Sequence, residues 1–149
     1  MRKLFALFGF FILCFNLEAQ EKVKPEILFH KNYLTGYIGL LEYNINYERN
    51  LFLFPKSYSN IRIGLGEWSD LQGDGRIYNL TFVHLFGRKL SHIELNFGMN
   101  YINGKTKYGN FFYPIGFIGY RYEELKGKII IRAGFSSWSF FNVGFGFKF

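Results

Sequence analysis

Histidine, serine and acidic residues are the side chains of this sequence that could catalyse a reaction or bind a metal. His84 and His92 flank a predicted turn at residues 87–89 and could approach each other across it. A zinc site needs three or four ligands, and the sequence offers no third one. A Ser–His–acid set would use His30 as its base. Its other members would come from Ser136, Ser137, Ser139, Glu67 and Asp70. These are common loop residues, so we expect no catalytic residue, no metal site and no cofactor.

Glycine and cysteine residues exclude further kinds of chemistry. The Gly-x-Gly pairs at 64–66 and 144–146 lie inside predicted strands and are therefore not phosphate-binding loops. Cys14, the single cysteine, lies in an apolar N-terminal segment that we expect to be removed. A mature chain without cysteine has no disulfide, no zinc–thiolate site and no cysteine nucleophile.

Residues 1–19 are predicted to form a secretory signal peptide. A positively charged start precedes an apolar run at residues 4–15, which is too short to span a bilayer, and a polar exit follows. Cleavage near Ala19 or Gln20 leaves residues 20–149 as one domain. The alternative is an uncleaved N-terminal anchor.

The mature chain is predicted to remain basic. Loss of Arg2, Lys3 and Glu18 lowers the net charge from +7 to +6. The basic residues are scattered and form no cluster, which favours contact with anionic lipid or lipopolysaccharide over contact with nucleic acid.

The amino-acid composition indicates β-structure. Aromatic residues make up 22% of the chain and glycine occurs 17 times, yet the mean hydropathy is only +0.01. Disordered chains are poor in aromatic residues, and helical bundles are dominated by Ala, Glu, Lys and Leu. Bulky residues that alternate with small ones are typical of strands.

Apolar and polar residues alternate with a period of two along most of the mature chain. The clearest case is residues 92–101, where Ile93, Leu95 and Phe97 oppose His92, Glu94 and Asn96. Further strands are predicted over 35–48, 60–66, 76–86, 112–122, 128–136 and 142–149. In 112–122, Phe117 lies on the side opposite to the other apolar residues.

The connections between these strands indicate a membrane barrel. The turns at 87–89 and 124–127 are short, whereas the segments 69–75, 103–111 and 137–141 are longer and are predicted to face outside. The connector at 50–59 is the exception, because it falls on the side of the short turns and yet is long. An even strand count requires an eighth strand before residue 35, for which residues 27–31 are the only candidate. We therefore predict an all-β, eight-stranded antiparallel transmembrane β-barrel.

The apolar strand faces are predicted to point outward. They carry too many large aromatic residues for the interior of an eight-stranded barrel, whereas the opposite faces are rich in Gly and Asn. The opposite register would put single charges in lipid, where Arg or Lys costs about 2–4 kcal/mol at the midplane. The predicted interior polar network consists of Glu42, Arg62, Glu94, Arg121, Arg132 and Lys148. We interpret these charges as a mutually paired structural plug, not an active site.

Aromatic residues near the strand ends are predicted to form the girdles at the two membrane interfaces. Trp68, Tyr101, Tyr113 and Trp138 lie toward the longer loops. Tyr47, Tyr122 and Phe149 lie toward the short turns.

The C-terminal segment NVGFGFKF (142–149) resembles the closing strand of bacterial outer-membrane barrels. Its alternating apolar residues are Val143, Phe145, Phe147 and Phe149. The resemblance implies recognition by the barrel-assembly machinery. The segments at 44–50, 61–66, 119–123 and 131–136 resemble small outer-membrane barrels common in Bacteroidota, with an OmpA/OmpX-like eight-stranded barrel. The Pro-Trp pair expected before the last strand is replaced by Trp138 and Phe140-Phe141.

The favoured function is a structural or surface-interaction role in the bacterial outer membrane, without catalytic activity. Such a protein contacts outer-membrane lipid and lipopolysaccharide and is expected to be a monomer; its extracellular partner stays open. Three alternatives remain. They are a narrow porin-like channel for small solutes, a lipid-modifying outer-membrane enzyme, and a soluble secreted barrel that binds a hydrophobic ligand.

Overall fold

The described residues form one antiparallel sheet that closes on itself. A computed structural model describes residues 32–70, 73–87, 90–106, 109–124 and 128–149. The strands are β1 (Asn32–Gly39), β2 (Glu42–Leu53), β3 (Ser57–Asp70), β4 (Gly73–Phe86), β5 (Ser91–Thr106), β6 (Phe111–Glu123), β7 (Ile129–Ser136) and β8 (Phe140–Lys148). Each strand pairs with its sequence neighbours, and β1 also pairs with β8. The predicted eight-stranded antiparallel barrel is confirmed.

The alternation of side chains sets the two faces of the sheet. In β2, Asn44, Asn46 and Glu48 are buried, whereas their neighbours Tyr43, Ile45 and Tyr47 are exposed. The same pattern continues through β8, where Lys148 is buried between two exposed phenylalanines. The barrel is therefore polar inside and apolar outside. Within the part of the chain that the structure covers, we find no helix of the length and apolar character needed to cross a membrane.

The first two strands differ from the prediction for residues 35–48. This segment is not one strand but a hairpin, because the chain turns at residues 40–41. The alternation changes phase there: odd-numbered residues face inward in β1, and even-numbered residues do so in β2. Tyr37 therefore faces inward and Gly36 outward, the reverse of the prediction. The predicted strand at 27–31 lies outside the described residues.

The barrel has two rims, which we name by their connections. The terminal rim holds both ends of the described barrel, Asn32 and Phe149, and the connections at 54–56, 87–90 and 124–128. The distal rim holds the connections at 40–41, 71–72, 107–110 and 137–139.

Most of the predicted long connections are in fact strand. Most of 69–75 and of 103–111 extends β3, β4 and β5 at the distal rim. The segment 50–59 is also mostly strand, with a β-bulge between Asn50 and Phe52. The predicted connections were too long because the strands have 8 to 16 residues and continue to the rims.

Glycines on the inner face let neighbouring strands and side chains approach closely. At Gly98, a Cβ atom would lie 2.7 Å from the Cα of Thr81 and would also collide with the backbone of Leu80. At Gly36, which faces outward, the nearest atom to such a Cβ would be 3.7 Å away. Because overpacking costs about 1–3 kcal/mol, Gly98→Ala is expected to lower the free energy of unfolding by that amount. Gly36→Ala, the matched control, is expected to change it little. Urea unfolding of both variants in lipid vesicles checks the difference, and equal effects would contradict the inward placement of Gly98.

Candidate functional site

The polar interior is closed at each end by an apolar cluster. The terminal cap consists of Tyr33, Tyr58, Val83, Leu85 and Ile130, with Leu53 packed against it. The distal cap consists of Trp68, Ile77 and Ile102, with Phe111, Tyr113 and Trp138 packed against it. Charged and amide side chains fill the space between the caps. The buried amides are Asn44, Asn46, Asn60, Asn79, Asn96, Asn100 and Asn142.

Glu48 is the central carboxylate of the buried charges. Its Oε1 lies 2.7 Å from the NH2 atom of Arg62 and accepts a 2.8 Å hydrogen bond from Arg62 Nε. Its Oε2 accepts a 2.8 Å hydrogen bond from NH1 of Arg121. Thr35 and Asn60 also donate to it. Both oxygens of this fully buried carboxylate are thus satisfied, and both arginines are held by it.

Glu94 is the second carboxylate and extends the same network. Its Oε1 lies 2.8 Å from NH2 of Arg62 and 3.1 Å from NH2 of Arg132. Asn96 donates a 2.8 Å hydrogen bond to the same oxygen. Arg121 is more distant, with its NH1 atom 4.0 Å from Oε2. Two glutamates from β2 and β5 therefore bridge three arginines from β3, β6 and β7.

A second ion pair lies at the terminal rim. Lys148 Nζ is 3.6 Å from Oε1 of Glu123 and also donates to the carbonyl oxygen of Glu124. Tyr58 donates a 2.5 Å hydrogen bond to Oε2 of Glu123. The Lys148–Glu123 ion pair ties β8 to β6, although β7 separates these two strands in the sheet.

The buried charges balance. Among the described residues, the buried acids are Glu42, Glu48, Glu94 and Glu123, and the buried Lys and Arg residues are Arg62, Arg121, Arg132 and Lys148. Four negative groups thus face four positive ones. Aromatic faces add support for the arginines. The guanidinium of Arg121 lies 4.8 Å from the ring of Tyr33, and that of Arg132 lies 5.2 Å from Tyr37 and 4.4 Å from Phe117.

These cation–π contacts explain why two large aromatic residues occupy inward positions of the alternation. Tyr37 and Phe117 are large aromatic residues that point into a small barrel. Both cover Arg132, which is 3% exposed. Their bulk is accommodated by glycine, because the ring of Phe117 occupies the space beside Gly119 and Gly134.

All six charged residues predicted for the interior are buried, and five of them belong to the ion pairs described above; Arg121 Nε, 3.8 Å from Oε2 of Glu123, joins the rim pair to the central network. The sixth, Glu42, lies nearer the distal rim. Its Oε1 is 3.0 Å from Oγ of Ser139, and its Oε2 accepts a 3.2 Å hydrogen bond from Asn44. The prediction missed Glu48 and Glu123. The signal for both was present, because Glu48 continues the even-numbered polar positions of β2 and Glu123 lies two residues after Arg121.

Three of the predicted girdle residues belong instead to the distal cap. Trp68 is only 4% exposed and packs against Ile77 and Ile102. Its ring contacts Trp138 at a centroid distance of 6.1 Å, and Trp138 contacts Tyr113 at 4.6 Å. The assignment of these three residues to an outer girdle is wrong, because their positions in the alternation and in the turn at 137–139 direct them inward.

The other predicted girdle residues lie on the outer face. Tyr101 packs against Tyr78 and Phe112 near the distal rim. At the terminal end, Tyr47 donates a 2.6 Å hydrogen bond to Oδ1 of Asn32, and Tyr122 is half-buried. The four predicted C-terminal signal residues all point outward on or just after β8; they are Val143, Phe145, Phe147 and Phe149.

The candidate catalytic residues are not brought together. His84 is on the outer face, whereas His92 is buried inside and stacks edge-on against Tyr58, so the barrel wall separates them. Ser136 and Ser139 bond to each other in the distal turn. His30 lies outside the described residues. Within the described ranges, no group of three or more His, Cys, Asp or Glu residues could hold a metal ion.

One Ser–His contact was not predicted from the sequence. Oγ of Ser59 lies 2.7 Å from Nδ1 of His84, because the register of β3 and β4 places these residues opposite each other. Ser59 is only 1% exposed, and no carboxylate of the described residues contacts His84. The pair therefore lacks the accessible nucleophile and the third group that a triad requires. Only knowledge of the strand register could have revealed it.

The fold, and not the sequence, relates this chain to known proteins. No family model and no curated protein matches the sequence. Among solved structures, the chain is similar to the N-terminal β-barrel domain of Pseudomonas aeruginosa OprF, with a TM-score of 0.53, 14% identity, and coverage of 80% of this chain and 96% of that one. It is also similar to Ail, the attachment invasion locus protein of Yersinia pestis, with a TM-score of 0.48, 9% identity, and coverage of 80% and 95%. The likeness to the OprF domain shows that this chain shares its barrel fold.

Proposed function

We propose that this protein is an outer-membrane β-barrel with a structural or surface-interaction role and no enzymatic activity. The observation that carries the proposal is the distribution of side chains across the barrel wall. Large apolar residues such as Ile63, Phe97 and Phe145 are exposed on the outer face, while charged residues are buried inside. Soluble monomers rarely expose a contiguous apolar patch of more than a few hundred Å². A belt around the whole barrel is instead suited to lipid.

The proposed orientation places the terminal rim in the periplasm and the distal rim outside the cell. An exported chain with a cleaved signal at residues 1–19 would reach this location. The outward apolar residues of β8, which end at Phe149, would be read by the barrel-assembly machinery. The outer belt would contact lipid and, near the distal rim, lipopolysaccharide. A monomer suffices, because a closed barrel has no free strand edge.

We also propose that the barrel does not conduct solutes. Both caps and the paired charges between them occupy the interior. The arginines that would line a pore are engaged by Glu48 and Glu94 at 2.7 to 3.1 Å. Planar-bilayer recordings of the purified barrel are expected to show no steady conductance. Reproducible single-channel steps would instead favour the narrow porin-like alternative.

The membrane location is tested by cell fractionation combined with gel mobility. The protein is expected in the outer-membrane fraction and is expected to migrate differently before and after boiling, because a closed barrel resists detergent until it is heated. Recovery in the aqueous fraction after cell breakage would contradict the proposal and favour the soluble ligand-binding alternative.

The non-enzymatic role is tested separately. The lipid A of a deletion strain is expected to give the same mass spectrum as that of its parent. A changed spectrum would favour the lipid-modifying alternative.

A further inference from the structure

The distal rim of the barrel is uneven. Beyond their last pairs with β2 and β6, the strands β3, β4 and β5 continue as a three-stranded sheet. We call this sheet the distal extension; it is formed by residues 69–70, 73–76 and 103–106. At the β1–β8 seam the rim ends instead at two short turns, residues 40–41 and 137–139, which we call the low turns.

The low turns pack against each other, because β1 pairs with β8. Gly39 lies opposite Asn142 in the register, and a Cβ at position 39 would lie only 2.4 Å from Oγ of Ser139. The side chain of Ser139 therefore fills the inner side of this contact. Leu40, the next residue along the chain, is 73% exposed. The two turns thus form one unit at the seam, with an apolar residue on its outside.

The exposed surface around the low turns is apolar. Turn residues that face water are usually Gly, Pro, Asn, Asp or Ser, whereas residues 40 and 41 are both leucine. Beside them, the rings of Phe135 and Phe141 pack at a centroid distance of 5.7 Å, and both side chains are exposed. We call this surface the seam patch, and its exposed residues are Ile38, Leu40, Phe135, Phe140, Phe141 and Val143.

Phe140 has a backbone conformation that favours glycine. Its φ angle is 55°, and it is the only residue other than glycine with a positive φ in the part of the chain that the structure describes. Even-numbered residues of β8 such as Asn142 are buried inside, yet Phe140 is 69% exposed. A bulky residue in this conformation is strained. Transfer of its exposed ring from water to an apolar environment would offset that strain.

The seam patch is continuous with the apolar belt on the outer face. Ile38 pairs with Val143 on one side and with Tyr43 on the other, and all three are exposed. The outer face of β3, β4 and β5 is different, because it becomes polar at the base of the distal extension. The exposed residues there are Glu67, Ser69, Asp74, Arg76 and Asn103. The apolar belt therefore ends below the extension but reaches the rim at the seam.

The β1–β2 turn lies at the level where this change from apolar to polar occurs. The backbone nitrogen of Ser69 donates a 2.9 Å hydrogen bond to the carbonyl oxygen of Leu41. Two residues earlier on β3, Glu67 accepts a hydrogen bond from the hydroxyl of Tyr43. The turn is thus at the edge of the apolar belt, whereas the distal extension continues beyond it.

We propose that the low turns are immersed in the outer leaflet of the membrane, where lipid acyl chains cover the seam patch, and that only the distal extension projects from the bilayer. Acyl chains suit the patch because they also cover the belt with which it is continuous. The inference rests on the membrane location proposed above and deepens the surface role. A partner outside the cell would reach the polar extension and not the low turns.

The immersion can be measured with a fluorescent probe at single cysteines. The substitution Cys14→Ser makes each introduced cysteine unique, because Cys14 is the only cysteine of the chain. In this background Leu40→Cys, Phe140→Cys, Ser69→Cys and Ile63→Cys are labelled with nitrobenzoxadiazole and folded into dilauroylphosphatidylcholine vesicles. A nitroxide on the lipid acyl chain, close to the headgroup, quenches probes in lipid. Iodide, loaded on both sides of the membrane, quenches probes in water.

The probes at positions 40 and 140 are expected to be quenched by the lipid nitroxide and protected from iodide, with emission at shorter wavelength. The probe at position 69, on the distal extension, is expected to show the opposite behaviour and is the matched control. Gel mobility before and after boiling verifies that each variant is folded. Leu40→Cys leaves the backbone at Phe140 unchanged, so it keeps the test decisive if Phe140→Cys does not fold.

Two results would overturn the inference. One is quenching by iodide at positions 40 and 140 as strong as at position 69, which would place the seam patch in water. The other is protection of both probes from both quenchers, which would indicate that a second copy of the chain covers the patch. The probe at position 63, in the middle of β3, separates this inference from the membrane location. Lipid quenching there, with iodide quenching at 40 and 140, rejects only the immersion of the turns, whereas iodide quenching at all three positions rejects the membrane location as well.

Discussion

Ile63→Arg is expected to lower the free energy of unfolding in lipid vesicles by about 2–4 kcal/mol. Ile63 lies in the middle of β3, is 53% exposed on the outer face, and pairs with Tyr47 and Leu80 on the neighbouring strands. At that level of the proposed belt an arginine must leave water or distort the bilayer. Urea unfolding followed by tryptophan fluorescence gives the change in stability.

The comparison with a second position makes this result specific for lipid. Ser69→Arg introduces the same charge on β3, at an exposed residue of the distal extension. It is expected to change the stability by less than about 0.5 kcal/mol, as surface substitutions usually do. If Ile63→Arg were equally harmless, the outer face would be in contact with water and the proposed membrane location would be wrong.

Glu48→Gln is expected to destabilise the barrel by about 3–5 kcal/mol, because it leaves buried positive charge without its partner. Arg62 and Arg121 both lie within 2.8 Å of this carboxylate, and Arg121 is fully buried. Typical stabilities are only about 5–15 kcal/mol, so a large share of the stability would be lost. Unfolding by urea or by heat, read from gel mobility, measures the effect.

Two further variants separate the buried charge from a general effect of the substitution. Glu124→Gln makes the same change at an exposed residue of the terminal rim and is expected to have almost no effect. Glu48→Gln combined with Arg121→Gln keeps the interior neutral and is expected to be less destabilised than the sum of the single variants. Equal stability of Glu48→Gln and Glu124→Gln would refute the central role of Glu48.

Much of the barrel could be predicted because its alternation has a simple physical cause. An apolar outer face and a crowded polar interior impose opposite demands on successive residues, so strands such as β5 and β8 could be identified from their residue types. The polar positions could be identified for the same reason. Arg62, Glu94 and Arg132 occupy the alternate positions between apolar residues, and each one is buried.

The predictions were wrong where the sequence shows no alternation of apolar and polar residues. Residues 40–41 are both leucine, and nothing in two consecutive apolar residues distinguishes a tight turn from a continuing strand. The distal cap was missed for a related reason. An aromatic residue near a strand end suits either an interface or a plug, and only the register of Trp68 against the neighbouring strands decides between them. Pairs such as Ser59 and His84 depend on register alone.

The junction between the first and last strands has a consequence for the order of events in biogenesis. Asn32 and Phe149 exchange two backbone hydrogen bonds of 2.9 Å, so the two ends of the described barrel close its seam. The other seams join strands that are adjacent in sequence and can zip as hairpins, whereas this one must enclose more than a hundred residues in a single loop. A chain that stops one strand early would retain two unpaired edges, each a template for association with other chains. Closure of the β1–β8 seam is thus expected to follow the pairing of strands that are adjacent in sequence.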